Sequence, residues 1–147
     1  MLIYYKFPGL LAILALVIYA EISLALFKII PVTISLAGIA GFILSIGMAV
    51  DANILIFERM KEELRSGKDT SLSIKDGFVR AWSSIRDSNF SSIITCVILY
   101  SFGTGPVRGF ALTLLIGVIV SLFTAVTVTR TFMLLISHTN ARKWLNV

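Results

Sequence analysis

The sequence predicts an all-α integral membrane protein: a bundle of four transmembrane helices with one further helix on the cytoplasmic interface. Three observations carry that prediction. Of the 147 residues, 57% are hydrophobic and 14% charged, and the mean hydropathy is +0.94; soluble domains usually carry about 25% charged residues. Ile29–Val50, Ser88–Val107 and Gly109–Thr129 hold no charge at all, and Phe7–Phe27 holds only Glu21. Each run matches the roughly 20 apolar residues that cross a bilayer at a rise of about 1.5 Å per residue. The spans consume most of the chain, so residues 1–147 form one transmembrane region with no room for a second folded domain.

The elements follow in order. Lys6-Phe7-Pro8-Gly9 reads as the end of one span and a turn into the next, so the first helix is expected over about 8–27, with Pro in its first turn. A short link containing Pro31 leads to the second helix, about 35–64, for which Ser35 is the N-cap. This helix outruns the bilayer, so Glu58–Leu64 should project into water. Ala37, Gly41, Ser45 and Ala49 place a small residue at every fourth position along it, which marks a closely packed face. Ser66-Gly67-Lys68 terminates it.

Over about 70–87, apolar Ile74, Phe78, Trp82 and Ile85 recur at spacings of four, four and three. With Lys75, Arg80 and Arg86 around them, the segment either lies along the headgroup region or docks on the bundle. A third span is expected over about 89–102. Gly103-Thr104-Gly105-Pro106 forms the outer turn, and the fourth span follows over about 107–136. Gly105, Gly109, Thr113, Gly117, Ser121, Ala125 and Thr129 extend a second small-residue seam along it, which points to a crowded core or a large partner bundle.

The net charge of +5 is distributed as membrane topology rather than as a nucleic-acid surface. Arg59, Lys61, Arg65, Lys68, Lys75, Arg80 and Arg86 crowd one connection, which the positive-inside rule makes cytoplasmic. Alternation then brings Lys6, Arg142 and Lys143 to the same side and leaves Lys28 and Arg108 outside. Both termini are expected to face the cytoplasm. The first 27 residues lack a small-residue cleavage site and are read as membrane-resident. Lone Cys96 excludes an intrachain disulfide and is read as a packing residue.

Asp51 is the candidate functional residue. It stands in the second helix, preceded by a long uncharged run and roughly 10 Å from the water-facing turns by the helical rise. A charge at such a position costs about 3 kcal/mol on insertion scales, so the residue is expected to face the bundle interior. Desolvation favours the neutral carboxyl, and a group poised between its two forms is a candidate proton carrier. The opposing interpretation is a structural carboxylate, permanently neutral or paired. Gly47 lies one turn before Asp51 and leaves room for a partner or water, and Glu58 lies two turns after. Asn53 points away by about 200° and is expected to hydrogen-bond a neighbouring helix.

Glu21, Glu58, Arg59 and Arg130 sit near span ends, where solvated charges are ordinary. His138 is the only histidine and stands without a spaced acid or nucleophile, so no motif supports catalysis, a metal or a cofactor. The glycines from Gly103 to Gly109 are turn and packing residues.

The run Gly47-Met-Ala-Val-Asp51-Ala-Asn53-Ile-Leu-Ile-Phe-Glu58-Arg59, continued by Lys61-Glu62-Glu63-Leu64-Arg65-Ser66-Gly67, resembles the signature of the SecD family, membrane subunits of the bacterial SecDF complex. Ala81-Trp82-Ser83-Ser84-Ile85 with Asp87 and Asn89 resembles a second family block. Gly103-Thr104-Gly105-Pro106-Val107-Arg108-Gly109-Phe110-Ala111 resembles a third. The three blocks cover about residues 38–132. The resemblance implies a proton-driven transporter of the RND superfamily at the bacterial inner membrane, with SecF, SecYEG and YajC as partners. SecA would act indirectly, preprotein would be the substrate, and lipid would surround the chain. It implies that Asp51 takes part in proton passage, with Gly47, Asn53, Glu58, Arg59, Gly103, Thr104, Gly105, Gly109 and Phe110 as supporting motif residues. The family ordinarily has an earlier helix and a large periplasmic domain, so this chain is expected to be a fragment or a split gene product, matching the family's C-terminal transmembrane region. Two other readings remain open: an RND exporter of small molecules or lipids, and a passive helical scaffold for a partner.

Overall fold

The computed structural model describes residues 2–30, 32 and 35–137, with side chains over 8–30, 32 and 35–135. All regular structure among them is helical. The elements are α1 (Leu2–Ile29), α2 (Leu36–Arg65), α3 (Thr70–Phe102), α4 (Gly105–Phe123), a π-helical segment (Thr124–Thr129) and α5 (Arg130–Ser137). The side chain of Lys6, together with Pro31, His138, Arg142 and Lys143, lies outside the described residues.

Three boundaries fall where local chemistry puts them. Ser35 Oγ accepts from the N–H of Gly38 at 3.1 Å and caps α2. At its other end Gly67 adopts φ +86°, the left-handed conformation that glycine takes without a Cβ penalty, and its N–H bonds the Leu64 carbonyl at 3.0 Å. Asp69 then caps α3 by accepting from Ser71 N–H at 3.4 Å.

Two expectations are corrected. The turn placed at Lys6–Gly9 does not form; α1 runs through it with Pro8 inside the helix and buried. Proline there removes one backbone bond, a loss that transmembrane helices tolerate. More consequentially, the interfacial helix over 70–87 and the span over 89–102 are one uninterrupted helix of 33 residues. Arg86-Asp87-Ser88-Asn89 contains neither Gly nor Pro. Its polar side chains turn back onto their own ladder, with Ser88 Oγ donating to Ile85 O at 3.1 Å and Asn89 Nδ2 to the same carbonyl at 2.7 Å. Such bonds satisfy the side chains without ending the helix.

Residues 70–87 pack on the bundle. Ile74, Phe78, Ala81 and Ile85 are buried against Ile56, Phe57 and Met60 of α2 and Met133 of α5. Gly77 permits the contact, because a Cβ there would stand 2.7 Å from the Met60 backbone. Trp82 stacks on Phe78 with centroids 6.4 Å apart, and the Arg130 guanidinium lies 5.0 Å over the Phe78 ring, so Arg130 is engaged in a cation–π contact.

Three helical stretches are long and apolar enough to cross a membrane: Pro8–Ile29, Leu36–Arg65 and Gly105–Leu135. The third expected span, over about 89–102, falls in the second half of α3, a helix packed against both α2 and α4. The span expected over 107–136 is continuous through the π-helical turn into α5.

The small-residue seams meet each other at the centre. Gly41, Ser45 and Ala49 of α2 and Thr113, Gly117 and Ser121 of α4 are buried. A Cβ on Gly41 would lie 2.6 Å from the Phe110 carbonyl, and one on Gly117 would collide with the Ser45 side chain and stand 2.9 Å from the Tyr19 hydroxyl. Backbones this close bring polar groups into contact without water: Thr113 Oγ1 donates to Gly38 O at 2.9 Å, and the Tyr19 and Ser45 hydroxyls share a 2.6 Å hydrogen bond. The seams are therefore occupied within the chain.

Candidate functional site

Asp51 lies in the middle of α2 on its exposed side, with Ala40, Ile43, Leu44 and Gly47 before it. The expectation that it faces the bundle interior is corrected: the interior face of this helix carries Gly41, Ser45, Ala49, Ala52 and Asn53. Those positions pack on α3 and α4 through small side chains, and no room remains there for a carboxylate. Gly47 has open space where a Cβ would be, so it presents bare backbone beside Asp51. Among the described residues, the ion pairs all lie away from Asp51.

The carboxylate borders a cavity of about 130 Å³ in the groove between α2 and α3. Met48, Asp51, Ala52 and Leu55 line one wall, and Ile85, Ser88 and Asn89 line the other. The continuity of α3 creates this pairing, since it carries Ser88 and Asn89 down to the level of Asp51.

Asn53 is buried on the opposite side. Its Nδ2 donates to Ala49 O at 3.1 Å, and its Oδ1 accepts from Thr129 Oγ1 at 2.7 Å. That is a bond to a neighbouring helix, made at the last residue of the π-helical segment. Glu58 is half-buried two turns after Asp51. Arg59 pairs with Glu62 at 2.9 Å.

The remaining motif residues stand at the far end of the bundle. Gly103 caps α3 through its N–H to Leu99 O at 2.9 Å, and Thr104 precedes the first turn of α4. Gly105 and Gly109, with Val32, Ser35, Tyr100, Pro106, Arg108 and Leu112, line an open cavity of about 440 Å³. Half-buried Phe110 packs with Cys96, Leu114 and Val118. The motif residues thus fall into two separate groups, one around Asp51 and one at the α3–α4 turn.

A third constellation escaped the sequence analysis. Glu63, buried at the foot of α2, receives Lys68 Nζ at 2.6 Å and Arg80 Nη1 at 2.5 Å. Lys68 also meets Asp76 at 2.5 Å, and Arg80 reaches Glu62 at 3.4 Å. The Asp76 carboxylate foremost, with Glu63 next, holds the Lys68 ammonium pKa above its ordinary value. In the sequence Lys68 and Arg80 count only toward membrane topology. Alternating Glu and Lys or Arg across a glycine turn was the available sign that they pair.

A model of the MMPL family matches residues 8–146, and the chain belongs to that family. Its membrane-length helices and this kinship make it a multi-pass membrane protein. Within the family its likeness is to SecD. It is 59% identical over 137 residues to the protein translocase subunit SecD of Thermobaculum terrenum, covering 90% of this chain and 27% of that protein. Against SecD of Synechocystis sp. it is 59% identical over 136 residues, covering 92% of this chain and 29% of the relative. A crystal structure of SecDF in a super-membrane-facing form superposes with a TM-score of 0.90 at 40% identity, covering 92% of this chain and 19% of that one. A SecDF structure from Thermus gives 0.85 at 42% identity, covering 91% of this chain and 18% of that one. The chain spans less than a third of the length of these relatives.

Proposed function

We propose that the chain is the membrane-embedded part of a SecD-type subunit that couples the proton gradient to late stages of preprotein translocation across the bacterial inner membrane, with Asp51 as the proton-carrying group. The observation that carries this reading is the position of Asp51: a carboxylate on the exposed apolar side of a membrane-length helix, beside bare backbone at Gly47 and a cavity with polar residues in its wall. Lipid does not tolerate a charge there, so the face carrying Ile43, Gly47 and Asp51 calls for a protein cover. SecF is the partner proposed to supply it, with SecYEG and YajC as further partners and SecA acting indirectly. The basic end around Lys68 and Arg80 is assigned to the cytoplasm by the positive-inside rule, which puts both termini there as well.

A gradient of about 150 mV is worth roughly 3.5 kcal/mol per charge moved. That biases a conformational equilibrium by roughly a few hundredfold. The likeness to SecD favours protein export over an exporter of small molecules or lipids. A passive scaffold loses its support, because the two seams that would have bound a partner pack on each other. The test is Asp51→Asn in the full-length complex: gradient-dependent export should fall to the level seen without a gradient, and undiminished export would overturn the reading.

A further inference from the structure

We infer that Asn89 is a positioning residue for Asp51, acting through water held in the cavity between α2 and α3; this rests on the proton-carrying role proposed above. Asn89 is only 5% exposed, and its side-chain oxygen is buried without a hydrogen-bond partner among the described residues. The amide cannot simply be turned over to relieve this, because Nδ2 is held by the Ile85 carbonyl at 2.7 Å and a flip would set oxygen against oxygen. An unpaired buried acceptor is costly, and native structures satisfy such groups with protein or ordered water.

The same cavity is bordered by two further acceptors. Asp51, when ionised, only accepts. Ser88 spends its hydroxyl proton on Ile85 O at 3.1 Å, which leaves lone pairs. These three acceptors thus belong to residues that line one space of about 130 Å³. Such a space offers the two to four polar partners and the room, at least one water sphere of about 10–15 Å³, that a buried water requires. Water supplies the missing O–H groups, one toward Asn89 Oδ1 and one toward Asp51. It thereby sets the orientation in which a proton reaches or leaves the carboxylate.

The experiment uses the full-length complex with its partner subunit in lipid nanodiscs, imaged at a resolution that shows waters, and in parallel reconstituted in vesicles for proton flux. Wild type, Asn89→Leu, Asn89→Ser and Asp51→Asn are compared. An ordered water within hydrogen-bond reach of Asn89 Oδ1, absent in Asn89→Leu, is the expected result. The infrared band of the Asp51 carboxyl group, assigned by its loss in Asp51→Asn, should shift in Asn89→Leu. Flux should fall about tenfold in that variant, the effect of one lost hydrogen bond. Asn89→Ser, which keeps an acceptor and the space, should retain most of the flux. A dry cavity, a metal cation or a partner side chain on Asn89 Oδ1, or an unshifted Asp51 band in both Asn89 variants, would overturn the inference. If Asp51→Asn keeps full gradient-dependent export while the water is present, the proton-carrying role fails and the water site stands. If Asp51→Asn abolishes export while Asn89→Leu leaves flux and band unchanged, only the role of Asn89 fails.

Discussion

Thr129 donates its hydroxyl proton to the side-chain oxygen of Asn53 at 2.7 Å, joining residues 76 positions apart in the interior of the bundle. Thr129 is the last residue of the π-helical segment, where the wider turn rotates the following side chains relative to an α-helix. The bond therefore ties α2, two residues from Asp51, to the one irregular stretch of the helical path from Gly105 to Ser137.

Thr129→Val keeps the shape of the side chain and removes the donor. It should lower the unfolding free energy in detergent by about 1–2 kcal/mol, the penalty for leaving the Asn53 oxygen unpaired. Asn53→Ala in the Thr129→Val background should cost less than the sum of the two single changes. A double-mutant cycle from thermal or denaturant unfolding measures the difference.

Glycines on the two sides of α2 should respond in opposite ways. Gly117→Leu and Gly41→Leu drive a side chain into Ser45 and Tyr19, or into Thr113 and the Phe110 carbonyl, and should abolish recovery of folded protein. Gly47→Ala meets open space and should stabilise the isolated chain by up to about 1 kcal/mol through helix propensity. The same change in the full complex should weaken partner association if that face is covered. Fluorescence-detected chromatography of the chain alone and of the complex separates the two effects.

At the foot of α2, Glu63→Gln should lower the melting temperature measurably at low ionic strength, and added salt should shrink the difference. The raised Lys68 pKa fixes the alkaline side of the profile. A lysine whose pKa is higher folded than unfolded contributes stability that is fully present below the unfolded value, near 10.4. That contribution is lost as pH rises through the folded value. The wild-type chain should thus lose stability relative to Lys68→Met only above pH about 10, as circular dichroism melts across an alkaline series would show.

The helices and both seams were legible in the sequence because charge-free length and four-residue spacing are local signals. Ser35 and Gly67 were legible for the same reason, since caps and left-handed turns depend on residue type. The join at Arg86–Asn89 was not, because a charge cluster followed by an apolar run reads as a boundary even where no residue breaks the helix. The face of Asp51 was misjudged for a related reason. Cost in lipid argues for a protein surface, and sequence alone does not say whether that surface belongs to this chain or to another. The Glu63 cluster and the unpaired Asn89 oxygen depend on how α2 and α3 dock, which no spacing along one helix encodes.

The uninterrupted course of α3 has a mechanical consequence. A helix of 33 residues is about 50 Å long, and without a hinge it behaves as a stiff rod. Its basic end is clamped by Arg80 on Glu63, its midpoint stands against the Asp51 groove, and its far tip carries the Gly103 turn. Pivoting it about the Arg80 clamp by about 6° moves the tip, about 33 Å away, by roughly 3.5 Å. A displacement of α3 beside Asp51 would be carried to that tip with no flexible joint in between to absorb it.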